Sequence, residues 1–147
     1  GILVRYLAEH QLVGSVGRVV MLSPPNQGSE VVDRLGENWF FNLVNGPAGK
    51  ELGTDDASMP LQLGPAGFEL GVITGNRTIN LFLSMMIEGS DDGKVSVKRA
   101  ALDGMQDMIV LPTAHPFIMK NRRSISQTLY FLENGVFERT LSLGASQ

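Results

Sequence analysis

Apolar and polar positions along this chain form short blocks typical of buried strands. Three runs are almost entirely apolar, and polar or turn-forming residues bound each of them: Val16–Leu22, Leu70–Thr74 and Met108–Leu111. A short run without a polar face is the pattern of a strand buried on both faces of a parallel sheet. We therefore predict three strands at these positions.

Between the strands, apolar residues recur every three or four positions, which is the spacing of one helix face. This spacing predicts helices over residues 1–13 and 29–46, the second with Ser29 as its N-cap. It also predicts a last helix that stops at Asn134–Gly135. The apolar stripe of that last helix consists of Ile118, Ile125, Leu129 and Leu132. Strands that alternate with helices imply crossover connections, so we predict an α/β fold, a parallel sheet flanked by helices.

The length of 147 residues and the hydrophobic content of 43% fit a single domain with its own core. We therefore expect one domain over residues 1–147. Within it, residues 53–67 hold so many glycine, proline and aspartate residues that we predict a loop or a lid. Three strands make a small sheet, and none precedes the first helix. We therefore expect the chain to lack the N-terminal strands of a larger fold.

Composition excludes several kinds of site. The net charge of -3 leaves no basic stripe for phosphates, so we expect no nucleic-acid partner. No cysteine is present, which excludes disulfides, thiolate metal sites and a cysteine nucleophile. No apolar run reaches the roughly 18 to 20 residues of a membrane span, and the start has no signal-peptide pattern. We expect a soluble, cytoplasmic protein with no transmembrane segment.

Two loops that follow apolar runs carry residues with acid–base chemistry. In an open parallel sheet, ligands gather outside the carboxyl ends of the strands. His115 follows the third strand, and Asp92 lies on a glycine turn after the apolar stretch 79–87. A histidine that acts as a general base needs a partner to fix its tautomer, and Asp92 is the candidate carboxylate.

Each candidate also has a structural alternative. Aspartate beside glycine is common in ordinary turns. The other histidine, His10, lies late in the first helix, where a polar or cationic side chain suits the helix end. A calcium loop centred on Gly93 is excluded because its closing glutamate would fall on Arg99. We therefore expect no metal site in this loop.

Several segments resemble the lipase and esterase branch of the α/β-hydrolases. Residues 1–6 look like the helix that follows a nucleophile elbow, with Gly1 as the last glycine of that elbow. Residues 22–29 are similar to the segment after the next strand, residues 92–95 to the loop of the catalytic acid, and His115 to the catalytic histidine. The resemblance covers nearly the whole chain and keeps the order of acid and base.

This resemblance implies the C-terminal part of an α/β-hydrolase fold and a serine ester hydrolase. Such an enzyme uses no cofactor and acts on a small-molecule ester or lipid through an acyl-enzyme. His115 would be the base and Asp92 the acid that orients it, with Asp91 as the fallback acid.

The serine of that triad would lie about three residues before Gly1, outside this chain. Ser23 and Ser29 are candidate substitutes only because they follow a strand end. Two hypotheses result. In the first, the chain belongs to a serine ester hydrolase whose nucleophile is supplied from elsewhere. In the second, it is a truncated, non-catalytic α/β domain that binds a partner or forms a homo-oligomer through an exposed sheet edge.

Overall fold

The computed structural model describes three stretches of the chain, residues 1–28, 58–77 and 97–139. The predicted helix over residues 29–46 and the first part of the predicted loop, residues 53–57, lie outside them. The described elements are, in chain order, α1 (Ile2–Glu9), β1 (Val19–Leu22), α2 (Met59–Gln62), β2 (Leu70–Gly75), α3 (Val97–Ala100), β3 (Asp107–Leu111), α4 (His115–Ile118) and α5 (Arg122–Asn134).

The three strands form one parallel sheet in the order β1-β2-β3. Val20 lies opposite Gly71, and Gly71 lies opposite Asp107. Every residue of the central strand is buried, which explains why its sequence shows no alternation of polar and apolar positions. The predicted α/β fold with a parallel sheet is confirmed, although β1 begins at Val19 rather than at Val16.

Successive residues of a strand point to opposite faces of the sheet, and helices cover both of these faces. One core cluster lies against α3 and consists of Met21, Leu70, Val72, Ala100 and Leu102. The other lies against α4 and α5 and consists of Ile73, Leu111, Ile118, Phe131 and Phe137. The described part of the chain is thus layered as helix, sheet and helix. No helix in these stretches is both long and apolar enough to cross a membrane.

The first helix is shorter than its sequence pattern predicts. α1 ends at Glu9 rather than near Val13, because Gln11 adopts a left-handed conformation with a φ of 53°. The amide of Gln11 bonds back to the carbonyl of Ala8 at 3.2 Å and closes the last turn. The predicted stop at Gly14 is therefore wrong, since a residue other than glycine takes the left-handed conformation here.

The predicted apolar stripe of the last helix is also wrong. Ile125, Leu129 and Leu132 are 48%, 59% and 41% exposed. The buried residues of α5 are instead Ser124, Gln127 and Phe131. The remaining stripe residue is Ile118, which is buried but belongs to the separate helix α4.

Gln127 faces inward because the chain after α5 folds back onto it. The Gln127 side chain donates to the carbonyl of Glu138 at 3.0 Å and accepts from the amide of the same residue at 2.9 Å. A buried amide side chain with both functions satisfied carries little desolvation penalty. The predicted stop of the helix is correct, because Gly135 caps α5 with a φ of 77°.

Gly71 sets the distance between β2 and α5. A Cβ atom at this position would lie 2.8 Å from ring carbons of both Phe131 and Phe137. These two rings are themselves in contact, with centroids 4.9 Å apart. The backbone of the central strand therefore packs directly against an aromatic pair, which only glycine permits.

We expect Gly71→Ala to lower the free energy of unfolding by about 1 to 3 kcal/mol, because the added methyl group must displace both rings. Urea denaturation followed by circular dichroism measures this change. Gly17→Ala is the matched control, since no atom lies within 4 Å of a Cβ atom built there. A Gly71→Ala protein as stable as the Gly17→Ala protein would contradict the tight packing.

Candidate active site

The carboxyl ends of the three strands lie at one edge of the sheet, and backbone hydrogen bonds tie the residues that leave β1 and β2 to the neighbouring strand. The amide of Ser23, after β1, donates to the carbonyl of Ile73 at 2.7 Å. After β2, the amide of Asn76 donates to the carbonyl of Leu111 at 3.1 Å. The edge at which a parallel sheet binds ligands is thus a connected rim rather than three separate loops.

His115 lies on this rim. It is the first residue of α4, it is partly buried, and it follows the end of β3 by a short loop. Two hydrogen bonds fix that loop: the amide of Thr113 donates to Leu111 at 2.8 Å, and the amide of Arg77 donates to the carbonyl of Thr113 at 3.1 Å. The backbone that carries the imidazole is therefore held to the segment that leaves β2.

The segment leaving β2 leads along the chain towards Asp92. Asp92 and the fallback acid Asp91 lie outside the described residues, so their pairing with His115 stays a prediction. The hydrogen bond from Arg77 to Thr113 brings the beginning of this segment next to the loop that carries His115.

Ser23 does not have the surroundings of a nucleophile. Its side chain is 1% exposed, and its Oγ lies 3.5 Å from the Oγ1 atom of Thr74, which is buried as well. A hydroxyl enclosed in this way cannot reach an ester carbonyl. Ser29, the other candidate substitute, lies outside the described residues.

His10 lies at the opposite end of α1 from Gly1. Its ring stacks on Tyr6 with centroids 4.2 Å apart, and its Nδ1 atom is 2.9 Å from the Tyr6 carbonyl oxygen. The start of α1, by contrast, contacts the end of β1, because a Cβ atom at Gly1 would lie 3.3 Å from the Cβ of Pro24. His10 thus has the local contacts of a helix-end residue and lies away from the rim.

Arg5 is a functional candidate that the sequence pattern did not reveal. Its side chain is 3% exposed, and its Nη1 atom donates to the carbonyl of Asn26 at 3.0 Å. Its Nη2 atom donates to the carbonyls of Pro60 at 3.0 Å and Leu63 at 2.7 Å, and a longer bond reaches Gly64 at 3.2 Å. Sequence reasoning missed Arg5 because a cation beside an apolar helix face normally points to water.

Burial lowers the pKa of the Arg5 guanidinium, and the nearby carboxylate of Glu9 partly offsets this effect. Its partner Asn26 is buried too, and donates through Nδ2 to the carbonyl of Ala100 at 2.9 Å. The turn after β1 is therefore bonded to α1 on one side and to α3 on the other.

In residues 1–28, 58–77 and 97–139, no group of three or more histidine, aspartate or glutamate side chains is placed to hold a metal ion.

Comparison with solved structures places this geometry in a known fold. The chain is similar to the lipase BlEst2 of Bacillus licheniformis in its mature form, with a TM-score of 0.64 and 22% sequence identity over 86% of this chain. It is also similar to the propeptide form of that lipase, with a TM-score of 0.60 and 20% identity over 96% of the chain. At this identity the likeness shows a shared α/β-hydrolase-like fold.

The match covers only part of each lipase chain, 58% of the mature form and 34% of the propeptide form. No protein-family model and no curated protein matches the sequence. The chain therefore shares its fold with part of each of these two chains.

The backbone of Ser23 is in a left-handed conformation, with a φ of 44°. We expect Ser23→Gly to be more stable than Ser23→Ala by about 1 kcal/mol, because glycine adopts this conformation without a Cβ clash. The same two substitutions at Ser126, on the exposed face of α5, should give the opposite order, since alanine favours a helix. Thermal unfolding measures both pairs, and equal stabilities of the two Ser23 variants would contradict the strained turn.

Proposed function

We propose that this chain is the C-terminal part of a serine ester hydrolase that cleaves small-molecule esters or lipids. The observation that carries the proposal is the position of His115, at the carboxyl end of the last strand in a fold shared with a lipase. In this proposal His115 is the general base, Asp92 orients its imidazole, and the nucleophilic serine lies just upstream of Gly1.

The packing of α1 supports this location of the serine. A Cβ atom at Gly1 would lie 3.0 Å from the Sδ of Met21, so α1 begins beside the end of β1. β1 ends at the same edge of the sheet as β3, which His115 follows. In this proposal the upstream serine would therefore lie near the rim that carries the proposed base.

The reaction would follow the order of acyl transfer. The serine hydroxyl attacks the ester carbonyl while His115 accepts its proton, and a tetrahedral intermediate forms. His115 then returns the proton to the departing alcohol, which leaves an acyl-enzyme. Water then attacks the acyl carbonyl while the same imidazole accepts its proton, and His115 returns this proton to the serine oxygen as the acid leaves. Asp92 would hold the imidazole in the tautomer that accepts the proton and would stabilise the imidazolium.

The test compares variants of a longer chain that restores the upstream serine. We expect His115→Ala to lower kcat by about 10³-fold or more, and Asp92→Asn by about 10²- to 10⁴-fold, because removal of one triad member disables the unit. Hydrolysis of p-nitrophenyl esters measures kcat, and labelling by a fluorophosphonate probe reports the activated serine. His10→Ala is the matched histidine control and should stay within about twofold of the parent.

Undiminished hydrolysis and labelling in the His115→Ala protein would overturn the proposed base. A loss of kcat in Asp91→Asn with none in Asp92→Asn would assign the role of the acid to Asp91. The 147-residue chain itself provides a second control, because its buried Ser23 should take up no probe.

A second candidate function is association through the sheet. In the described stretches β1 and β3 each pair only with β2, so each leaves one edge unpaired. Unpaired edges present free backbone donors and acceptors to another chain. A non-catalytic domain that forms a homo-oligomer along such an edge is the function that this observation favours.

We expect the 147-residue chain to form a dimer whose fraction rises with concentration, and the longer chain to be monomeric because its own residues would pair with the edge of β1. Size-exclusion chromatography with light scattering gives both masses. A monomeric 147-residue chain at every concentration would exclude this second function.

A further inference from the structure

Arg5 brings together segments that lie far apart in the sequence. Its guanidinium binds Asn26, at the end of the turn after β1, and the carbonyls of Pro60, Leu63 and Gly64, in and after α2. Both Nη1 and Nη2 are used, and Nη1 also lies 3.4 Å from the Oδ1 of Asn26. One side chain of α1 therefore fixes two other segments on the same side of the sheet.

A second side chain of α1 holds the same segment. Glu9, one turn after Arg5, accepts a hydrogen bond from the amide of Gly64 at 2.9 Å. Gly64 thus gives its carbonyl to the cation and its amide to the carboxylate. Residues that are four apart face the same side of a helix, so α1 holds this segment by opposite charges at two successive turns.

Lysine cannot replace Arg5 in this arrangement. Both terminal nitrogens of Arg5 donate to acceptors. Guanidinium is a rigid planar fork, whereas an ammonium group offers a single nitrogen on a flexible stem. Within the described residues, no acceptor lies within hydrogen-bond reach of the buried Nε atom of Arg5. A buried cation held mostly by carbonyl dipoles is costly, which is unexpected for a residue that only fills space.

We propose that Arg5 is a positioning residue that fixes α1, and with it the serine before α1, against the turn after β1 and residues 58–64. This inference rests on the proposed function. In an ester hydrolase, the distance from the serine hydroxyl to His115 depends on how firmly α1 is held. A displacement of about 1 Å is enough to lower a rate by about 10²-fold.

The anchoring of the turn after β1 and of residues 58–64 by Arg5, called the clamp, is tested first in the 147-residue chain. Hydrogen–deuterium exchange is suited to this test because it needs no activity. In Arg5→Lys and Arg5→Met we expect about tenfold faster exchange in peptides covering residues 24–28 and 58–66, with exchange in β2 and β3 unchanged. Arg18→Lys is the matched control, because Arg18 also bonds to distant carbonyls, those of Leu132 and Glu133, but at an exposed position. It should leave both segments unchanged.

The kinetic test uses the longer chain with its upstream serine. We expect Arg5→Lys to lower kcat by about 10- to 100-fold, with KM and the pH profile of kcat unchanged, because the serine is displaced but the base is not. Glu9→Gln should give a smaller loss, since the Gly64 amide keeps a neutral acceptor. Arg18→Lys should retain the parent kcat.

The two experiments separate the inference from the proposed function. Faster exchange confined to the two segments would support the clamp. If the longer chain also hydrolysed no ester, the clamp would stand but the enzymatic role would not. Exchange that is unchanged, or that rises equally in β2 and β3, would overturn the clamp even if the enzyme is active. An Arg5→Lys enzyme with the parent kcat would overturn the positioning role.

Discussion

The buried guanidinium of Arg5 is the interaction on which one side of the structure depends. The turn after β1 has few apolar residues with which to pack, and the carbonyls of this turn and of the short helix α2 need donors. Arg5 supplies those donors from α1, and the side chain of Asn26 in turn donates to a carbonyl of α3. Polar bonds therefore add to the packing that holds α1 in place.

The other face of the sheet is organised by packing. Gly71 lets Phe131 and Phe137 approach the central strand, and Ile73 completes the same cluster. The apolar clusters on both faces include residues of β2, which is buried throughout and bonded to a strand on each side. The loop that carries His115 is bonded to residues immediately after β2, so the candidate base takes its position from the most constrained part of the fold.

The sequence predicts the strands well because burial on both faces leaves a local signal, an unbroken apolar run. It predicts the end of α5 equally well, since Gly135 takes the left-handed conformation. The inward face of α5 is not predictable from periodicity, because Gln127 is buried by a partner that comes later in the chain. The role of Arg5 is not predictable either, because its acceptors are backbone carbonyls, which every sequence has. His115 could be placed at the rim from the strand before it, whereas its pairing with Asp92 stays a prediction, because residues 91–92 lie outside the described residues.

The contrast between Ser23 and the start of α1 supports the proposal that the nucleophile lies before Gly1. Both lie near the end of β1, but the left-handed turn at Ser23 directs its hydroxyl towards Thr74, into the protein. A strand-to-helix turn does the opposite, because it presents its side chain above the sheet edge. α1 begins at that edge in contact with Met21, and Arg5 holds the helix there. In the proposed enzyme, the position of the serine would therefore be set by residues of this chain, through the packing and the polar anchoring of α1.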